Sequence, residues 1–193
     1  MPSETARRRA SYADLMAVRD NLIAEIVDGS LETSPRPTLR HAQTGSMLLQ
    51  DLGAAFQVGR GGPGGWWILY EPELHLGEDV LVPDLAGWRR ERLATIPDAP
   101  YATLAPDWIC EILSPSTAGL DRVRKLRIYA REKVNHAWLV DPAARTLEVF
   151  RRQEEHWLLV ATHAGSERVR AEPFDAVEID LGDLWLPSAG EAP

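Results

Sequence analysis

The stretch 107-DWICEILSPSTAGLDRVRK-125, followed by 137-AWLVD-141, constrains the fold more than any other part of the chain. Trp108 to Leu113 is an apolar run of strand length and Ser114 to Thr117 a polar turn. Residues 118–133 then carry apolar side chains at helical spacing before strand character returns at Ala137. A strand, a helix and a strand in that order require a layered fold in which helices cover a sheet. One residue breaks the pattern: Glu111 puts an ionisable group in the middle of a strand otherwise made for a core. Side-chain alternation sets Ile109, Glu111 and Leu113 on one face and Trp108, Cys110 and Ile112 on the other. The strand is therefore expected to pack on one side and face a cleft at Glu111.

The remaining segments fit around this unit. Ser11 is expected to cap a short helix carrying Tyr12, Leu15, Met16 and Val18. Leu22 to Val27 and Ser30 to Thr33 flank Asp28-Gly29, the strongest hairpin signal here, because this pair tolerates the positive backbone angles of a tight turn. A second helix is expected from Thr38 to Gln57, with Met47, Leu48, Leu52, Ala55 and Phe56 on its apolar face. It runs into 59-GRGGPGG-65, which lacks the Gly-Lys-Ser/Thr ending of a phosphate loop and follows a helix, so a flexible turn is expected. Strands are expected over 66–76, 80–88, 107–113, 137–141, 146–151, 156–161 and 176–181. The result is an α/β (α+β) domain with helices on one side of a mixed sheet. With 193 residues, 45% of them hydrophobic and seven tryptophans among them, the chain can bury one sizeable core. One domain is expected over 11–187, between a disordered stretch 1–10 and a tail 188–193.

A net charge of −8 excludes coating of nucleic acid or anionic membrane through bulk positive charge. Basic clusters remain at Arg7 to Arg9, at Arg89, Arg90 and Arg92, and along Arg122, Arg124, Lys125, Arg127 and Arg131, each fitting a solvated face. The single cysteine, Cys110, allows no intrachain disulfide and sits where a small buried hydrophobe belongs. With neither a signal-peptide core nor a run of 18 apolar residues, the chain is expected to be cytoplasmic.

Asp84, Glu111 and Lys125 are polar where the pattern calls for burial or element ends. A buried carboxylate needs an ion pair, hydrogen bonds or a metal. One answer is a structural ion pair between Glu111 and Lys125 or an arginine. The other is that Asp84 and Glu111, on adjacent strands, jointly hold a hard divalent cation, for which oxygen ligands suit Mg²⁺ or Mn²⁺. On the helix, Asp121, Lys125 and Tyr129 share one face at four-residue spacing.

The motifs that carry a resemblance are V-P-D at Val82–Asp84, P-D-W-I-C-E-I-L-S-P-S-T at Pro106–Thr117, D-x-x-x-K-x-x-x-Y at Asp121–Tyr129 and A-W-L-V-D-P at Ala137–Pro142. With E-I-V-D-G at Glu25–Gly29, P-T-L-R-H ending at His41 and E-P-E-L at Glu71–Leu74, the chain resembles the Uma-two family of endonucleases, in the PD-(D/E)xK, restriction-endonuclease-like superfamily. The resemblance implies a mixed sheet flanked by helices, Asp84 and Glu111 as metal ligands and Lys125 as the catalytic lysine. It also implies Mg or Mn as cofactor, nucleic acid, most simply DNA, as substrate, and products with a 5′-phosphate and a 3′-hydroxyl. The chain departs from the superfamily pattern at Leu113, where E-x-K would place the lysine, and Lys125 stands as its migrated replacement.

Glu73, with Glu71 equally arguable, is a possible accessory group near Asp84. Glu25 and His41 are candidates for the same cleft. His75, His136, His156 and His163 show no ligand spacing and are left out. A homodimer would suit an enzyme that cuts both strands. The alternative function is a catalytically inactive protein that keeps the fold for binding or dimerisation.

Overall fold

A computed structural model describes residues 8–187. The expected disorder over 1–10 falls outside the described residues apart from 8–10, and the tail 188–193 lies wholly outside them. Ala10 donates its N–H to Gly29 O at 2.8 Å and Arg8 pairs with Asp14 at 2.7 Å. Helix α1 (Tyr12–Met16) opens on Ser11 with a reciprocal cap: the Ser11 hydroxyl accepts from the Asp14 N–H and the Asp14 carboxylate from the Ser11 N–H.

Strands β1 (Leu22–Val27) and β2 (Ser30–Pro35) form the expected hairpin, with Asp28 and Gly29 at φ +52° and +76° as the tight turn demands. Helix α2 (Leu39–Leu52), capped by the Thr38 hydroxyl, widens into a π-helical turn over Gly53–Val58. The glycine run after it is a cap and not a free turn: Gly59 is left-handed, and Arg60 N and Gly64 N bond to Ala54 O and Ala55 O at 2.8 and 3.0 Å.

The next two sequence runs each divide between two sheets. Residues 66–76 become β3 (Trp66–Tyr70) and β4 (Leu74–Leu76), and residues 79–89 become β5 (Asp79–Leu81) and β6 (Leu85–Arg89). Pro83 has no N–H to give a ladder, and Glu71 turns the chain at φ +44°, so both strands break side by side; Glu71 N donates to Asp84 O at 3.0 Å across the gap. Strands β7 (Trp108–Ile112), β8 (His136–Asp141), β9 (Thr146–Gln153) and β10 (His156–Ala164) complete a six-stranded sheet of order β10-β9-β8-β7-β6-β3. Among the described strands of this sheet only β7 and β8 pair in parallel, as the helix between them requires. The small sheet has the order β2-β1-β5-β4.

Helices cover both faces of the large sheet, not one side. Trp108, Cys110 and Ile112 face Leu48, Leu52 and Phe56 of the α2 segment. Ile109 and Leu113 face Ile128 and Tyr129 of the helical segment built from α3 (Ala118–Leu120), a π-helical turn Asp121–Lys125 and α4 (Leu126–Arg131). The first core is completed by Phe174, whose ring lies 4.9 Å from Trp66 and Trp108 and 5.6 Å from Trp138. Such aromatic contacts contribute about 0.5–1.5 kcal/mol each beyond area burial. The expected strand 176–181 is reduced to Ile179–Asp180, followed by a 3₁₀ turn Leu181–Leu184. Among the described residues no helix is long and apolar enough to cross a membrane.

Candidate active site

Asp84 owes its position to the strand break. With Pro83 ahead of it and β6 beginning only at Leu85, its side chain turns toward the end of β7, where Oδ2 accepts the Ile112 N–H at 2.6 Å. On its other side, His41 Nε2, in the first turn of α2, lies 3.1 Å from Oδ1. His41 Nδ1 is buried without a hydrogen-bond partner among the described residues.

Glu111, in the middle of β7, points away from the tryptophan face and into the gap under the crossover helix. Lys125 Nζ lies 2.9 Å from its Oε1, and the Tyr129 hydroxyl donates to the same oxygen at 2.7 Å. The lysine also lies 2.9 Å from Glu25 Oε1 and 3.6 Å from Asp121 Oδ1. Glu25 in turn accepts the Val82 N–H at 2.7 Å, fastening the small sheet to the strand break. Lys125 and Glu111 side chains are each only 3% exposed. The π-helical turn that carries Asp121 and Lys125 is a local widening of the kind that recurs at functional sites.

Glu25, His41, Asp84, Glu111, Asp121 and Lys125 thus line one cavity of about 90 Å³. Four of them are carboxylates, facing one lysine and one histidine. Burial pushes Glu111 well above the usual carboxylate range, the charges of Asp121, Asp84 and Glu25 add to the push, and Lys125 opposes it. Asp121 is raised by burial too. Burial by itself would lower Lys125, but Glu111 and Glu25 outweigh it and hold the group well above its ordinary value, as an ammonium. His41 is raised as well, since Asp84 overcomes the effect of burial.

Among the described residues no group of three or more His, Cys, Asp or Glu side chains is arranged to hold a metal ion. An Mg²⁺ site does not need one, because the ion is commonly bound by one or two carboxylates with water and phosphate completing the shell. Asp84 and Glu111 fit that open kind of site. They are hard oxygen donors in a cavity with surplus negative charge, and Glu111 Oε2 takes no hydrogen bond among the described residues. The cavity has room for an ion with a few waters, each of which occupies roughly 30 Å³ in the liquid.

The structure brings together five of the six residues singled out in the sequence: Asp84, Glu111, Lys125, Glu25 and His41. Glu73 is placed elsewhere, bonded to the Tyr12 hydroxyl at 2.9 Å and to His75 Nε2 at 2.7 Å. Glu71 is the one of the pair whose charge reaches His41. Leu113 is core, its N–H bonded to Val140 O at 2.7 Å and its side chain packed in the cluster with Ile128 and Tyr129. Asp121 and Tyr129 join the site without having been assigned a role; their signal was the four-residue spacing through Lys125 on one helix face.

The arginine clusters are used locally. Arg89 and Arg90 lie over the rings of Trp66 and Trp67, and Arg92 pairs with Asp107 at 2.7 Å. They sit at the far end of β6 from Asp84, about 16 Å away at strand rise. Arg122 and Arg124 pair with Glu148 and Glu32, Arg127 with Asp28, and Arg131 with Asp79. Of the first cluster, Arg7 lies outside the described residues and Arg9 pairs with Glu78.

No curated protein matches the chain. Among solved structures it is similar to a putative nuclease belonging to DUF820 from Anabaena variabilis, with 21% identity, a TM-score of 0.70, and coverage of 84% of this chain and 89% of that one. That likeness extends the fold beyond this sequence. The family described as "Putative restriction endonuclease" matches residues 10–182, a span that takes in both sheets and every residue of the carboxylate–lysine cavity, and the protein belongs to this Uma2 family.

Proposed function

We propose that the protein is a divalent-metal-dependent endonuclease acting on DNA, with Asp84 and Glu111 as ligands of Mg²⁺ or Mn²⁺ and Lys125 as the catalytic lysine. The observation that carries this reading is the surplus of carboxylates around a single buried lysine. Carboxylates in excess of their buried cations are costly in a scaffold, whereas a divalent cation would compensate them. A bound divalent ion would supply Lewis-acid polarisation of the scissile phosphate and activation of water.

The chain's own residues do the rest. Asp84 is oriented by the Ile112 N–H and His41, and Glu111 by Tyr129 and Lys125. Supporting partners of this kind hold a ligand carboxylate at one angle. Lys125, held as an ammonium, has no lone pair with which to take a proton from water. Its role is to place positive charge beside the phosphoryl oxygens as negative charge builds on them, and to orient the nucleophile by donating hydrogen bonds. Arg36, which lines the cavity, and exposed Arg40 in the first turn of α2 are the cations placed to meet the substrate backbone, in place of the arginines at the far end of β6.

The same reading takes residues 11–187 as one working unit in the cytoplasm, where a lone buried cysteine is at no disadvantage. It also takes a homodimer as the unit that cuts both strands. The outer edge of β10, where Leu158, Leu159 and Val160 are all exposed, supports a two-fold contact. Sedimentation showing a monomer at working concentration would remove the dimer.

The test of the function joins two measurements. Calorimetric titration with Mn²⁺ should show binding to the wild type and none to Glu111→Ala, and plasmid nicking should follow the same order. Wild type that neither binds the ion nor nicks DNA leaves the binding-protein alternative; nicking that survives both Glu111→Ala and Lys125→Ala removes the site assignment.

A further inference from the structure

The cavity between the carboxylates has room for an ion and water but not for a nucleobase. A second cavity, of about 250 Å³, lies on the other side of the strand break. Segments 70–74 and 81–85 run side by side there, joined by Glu71 N to Asp84 O at 3.0 Å and by the Leu74–Leu81 pairing. Val82 and Asp84 line the catalytic cavity; Tyr70, Pro72 and Glu73 line the other. The two cavities are therefore lined from the two adjacent segments of the same strand break.

This second cavity is built and held. Its floor is Leu69, Trp88 and Leu93, and its outer wall is the connection between β6 and β7. That connection is pinned at both ends, by Trp67 Nε1 to Leu93 O at 3.0 Å and by Trp88 Nε1 to Leu104 O at 2.9 Å. In the middle it adds a bridge to β4, with Ala102 N to Glu73 O and His75 N to Ala102 O both at 2.9 Å. Pro97 and Pro100 stiffen the span between. At the mouth, Ile96 and Tyr101 are each 37% exposed, and Tyr101 is already stacked on His75 with ring centres 3.8 Å apart. Among the described residues, the only charged group lining the cavity is Glu73. Its Oε1 takes both Tyr12 and His75, and its Oε2 accepts no hydrogen bond among the described residues.

We propose that this cavity receives an unstacked nucleobase carrying an exocyclic amino group, from the strand whose phosphate lies at Asp84 and Glu111, so that the substrate class is single-stranded or locally unpaired nucleic acid. The inference rests on the nuclease reading. Apolar and aromatic walls suit the flat face of a base, and a free carboxylate oxygen accepts from an amino group, as acidic side chains do from cytosine. A base inside a duplex cannot enter a walled cavity without leaving its stack, so paired DNA carries an added cost.

Fluorescence anisotropy tests this with labelled dC12, dT12 and a 12-base-pair duplex, measured in Ca²⁺ with intact oligonucleotide verified on a gel, so that binding is read with a cation present and without cleavage. The expected order is dC12 tightest, then dT12, then duplex. Tyr101→Ala should weaken single-strand binding about fivefold or more, the loss of one base–aromatic contact. Ile96→Ala, at an exposed position that leaves the fold untouched, should weaken it in the same direction, and Glu73→Gln should narrow the dC12-to-dT12 ratio. Equal affinity for duplex and single strands, no binding of any of the three, or variants that bind like wild type would each overturn the proposal. Parallel plasmid nicking in Mn²⁺ separates the two readings. A wild type that nicks DNA while Tyr101→Ala and Ile96→Ala bind and nick identically loses only the base cavity, and a wild type that neither binds nor nicks loses the nuclease with it.

Discussion

The two ends of β6 carry charge in opposite ways. At the Asp84 end, charged groups are removed from water and depend on one another: Lys125 touches Glu111 and Glu25 at 2.9 Å, and all three side chains are under 10% exposed. At the Arg89 end, the guanidinium groups of Arg89 and Arg90 stay near solvent and lie on tryptophan rings at 4.5 and 3.9 Å, and that of Arg90 takes the backbone carbonyls of Trp66 and Gln57 as partners. The contrast teaches that the arginine-rich segment is a set of local struts. The acid-rich end holds the unresolved electrostatics, and unresolved electrostatics is what a cation or a phosphate can answer.

Mutation should separate the two ends cleanly. Lys125→Met strands Glu111 and Glu25 as buried, unpaired acids, and by the usual cost of breaking a buried ion pair it should destabilise the fold by about 3–5 kcal/mol in urea unfolding. A loss below about 1 kcal/mol would mean the pair is more hydrated than its burial implies. Glu111→Gln keeps a hydrogen-bonding side chain for Tyr129 and Lys125 but removes the ligand charge. Its expected signature is a loss of Mn²⁺ affinity of about a hundredfold or more with the fold retained, read by calorimetry beside circular dichroism.

The His41–Asp84 contact should be a pH-dependent and smaller contributor. The folded value of His41 lies above its ordinary 6.5 because Asp84 outweighs burial, so the folded state binds the proton more tightly than the unfolded state does. That contribution is complete below the unfolded value and is lost as pH rises through the folded one. The stability difference between wild type and His41→Asn should therefore shrink as the pH is raised from about 5.5 to about 8.5, and a difference that grows over that range would reverse the assignment. At the far end of β6, Arg90→Ala should cost about 1–2 kcal/mol, for an exposed cation–π contact and two hydrogen bonds to backbone carbonyls, and leave plasmid nicking unchanged.

Much of this was legible in the sequence because it depends on near neighbours. The Ser11 cap, the Asp28-Gly29 turn and the strand–turn–helix from Trp108 follow from residue types within a few positions of one another. Glu111 announced itself by polarity inside an apolar strand, and Lys125 by its helix face. What misled was also local. The runs 66–76 and 80–88 read as single strands, since neither Glu71's left-handed turn nor the transfer of each run to a second sheet leaves a periodic trace. Glu73 and Glu71 could not be told apart on spacing, because the break between β3 and β4 decides that Glu73 turns to Tyr12 and His75.

The sequence by itself determined the class of fold, the buried acid and the lysine that could answer it, because burial patterns and turn chemistry are written in periodicity. Only the tertiary structure decided that Glu25, Asp84, Asp121 and His41 meet at that acid. They arrive from a hairpin, a strand break and two helices, and their convergence depends on how two sheets are fastened together, through contacts between residues as far apart as Glu25 and Lys125. The protonation of Lys125 was decided there too, since it is set by the sum of charges in a closed cavity and not by any neighbour along the chain.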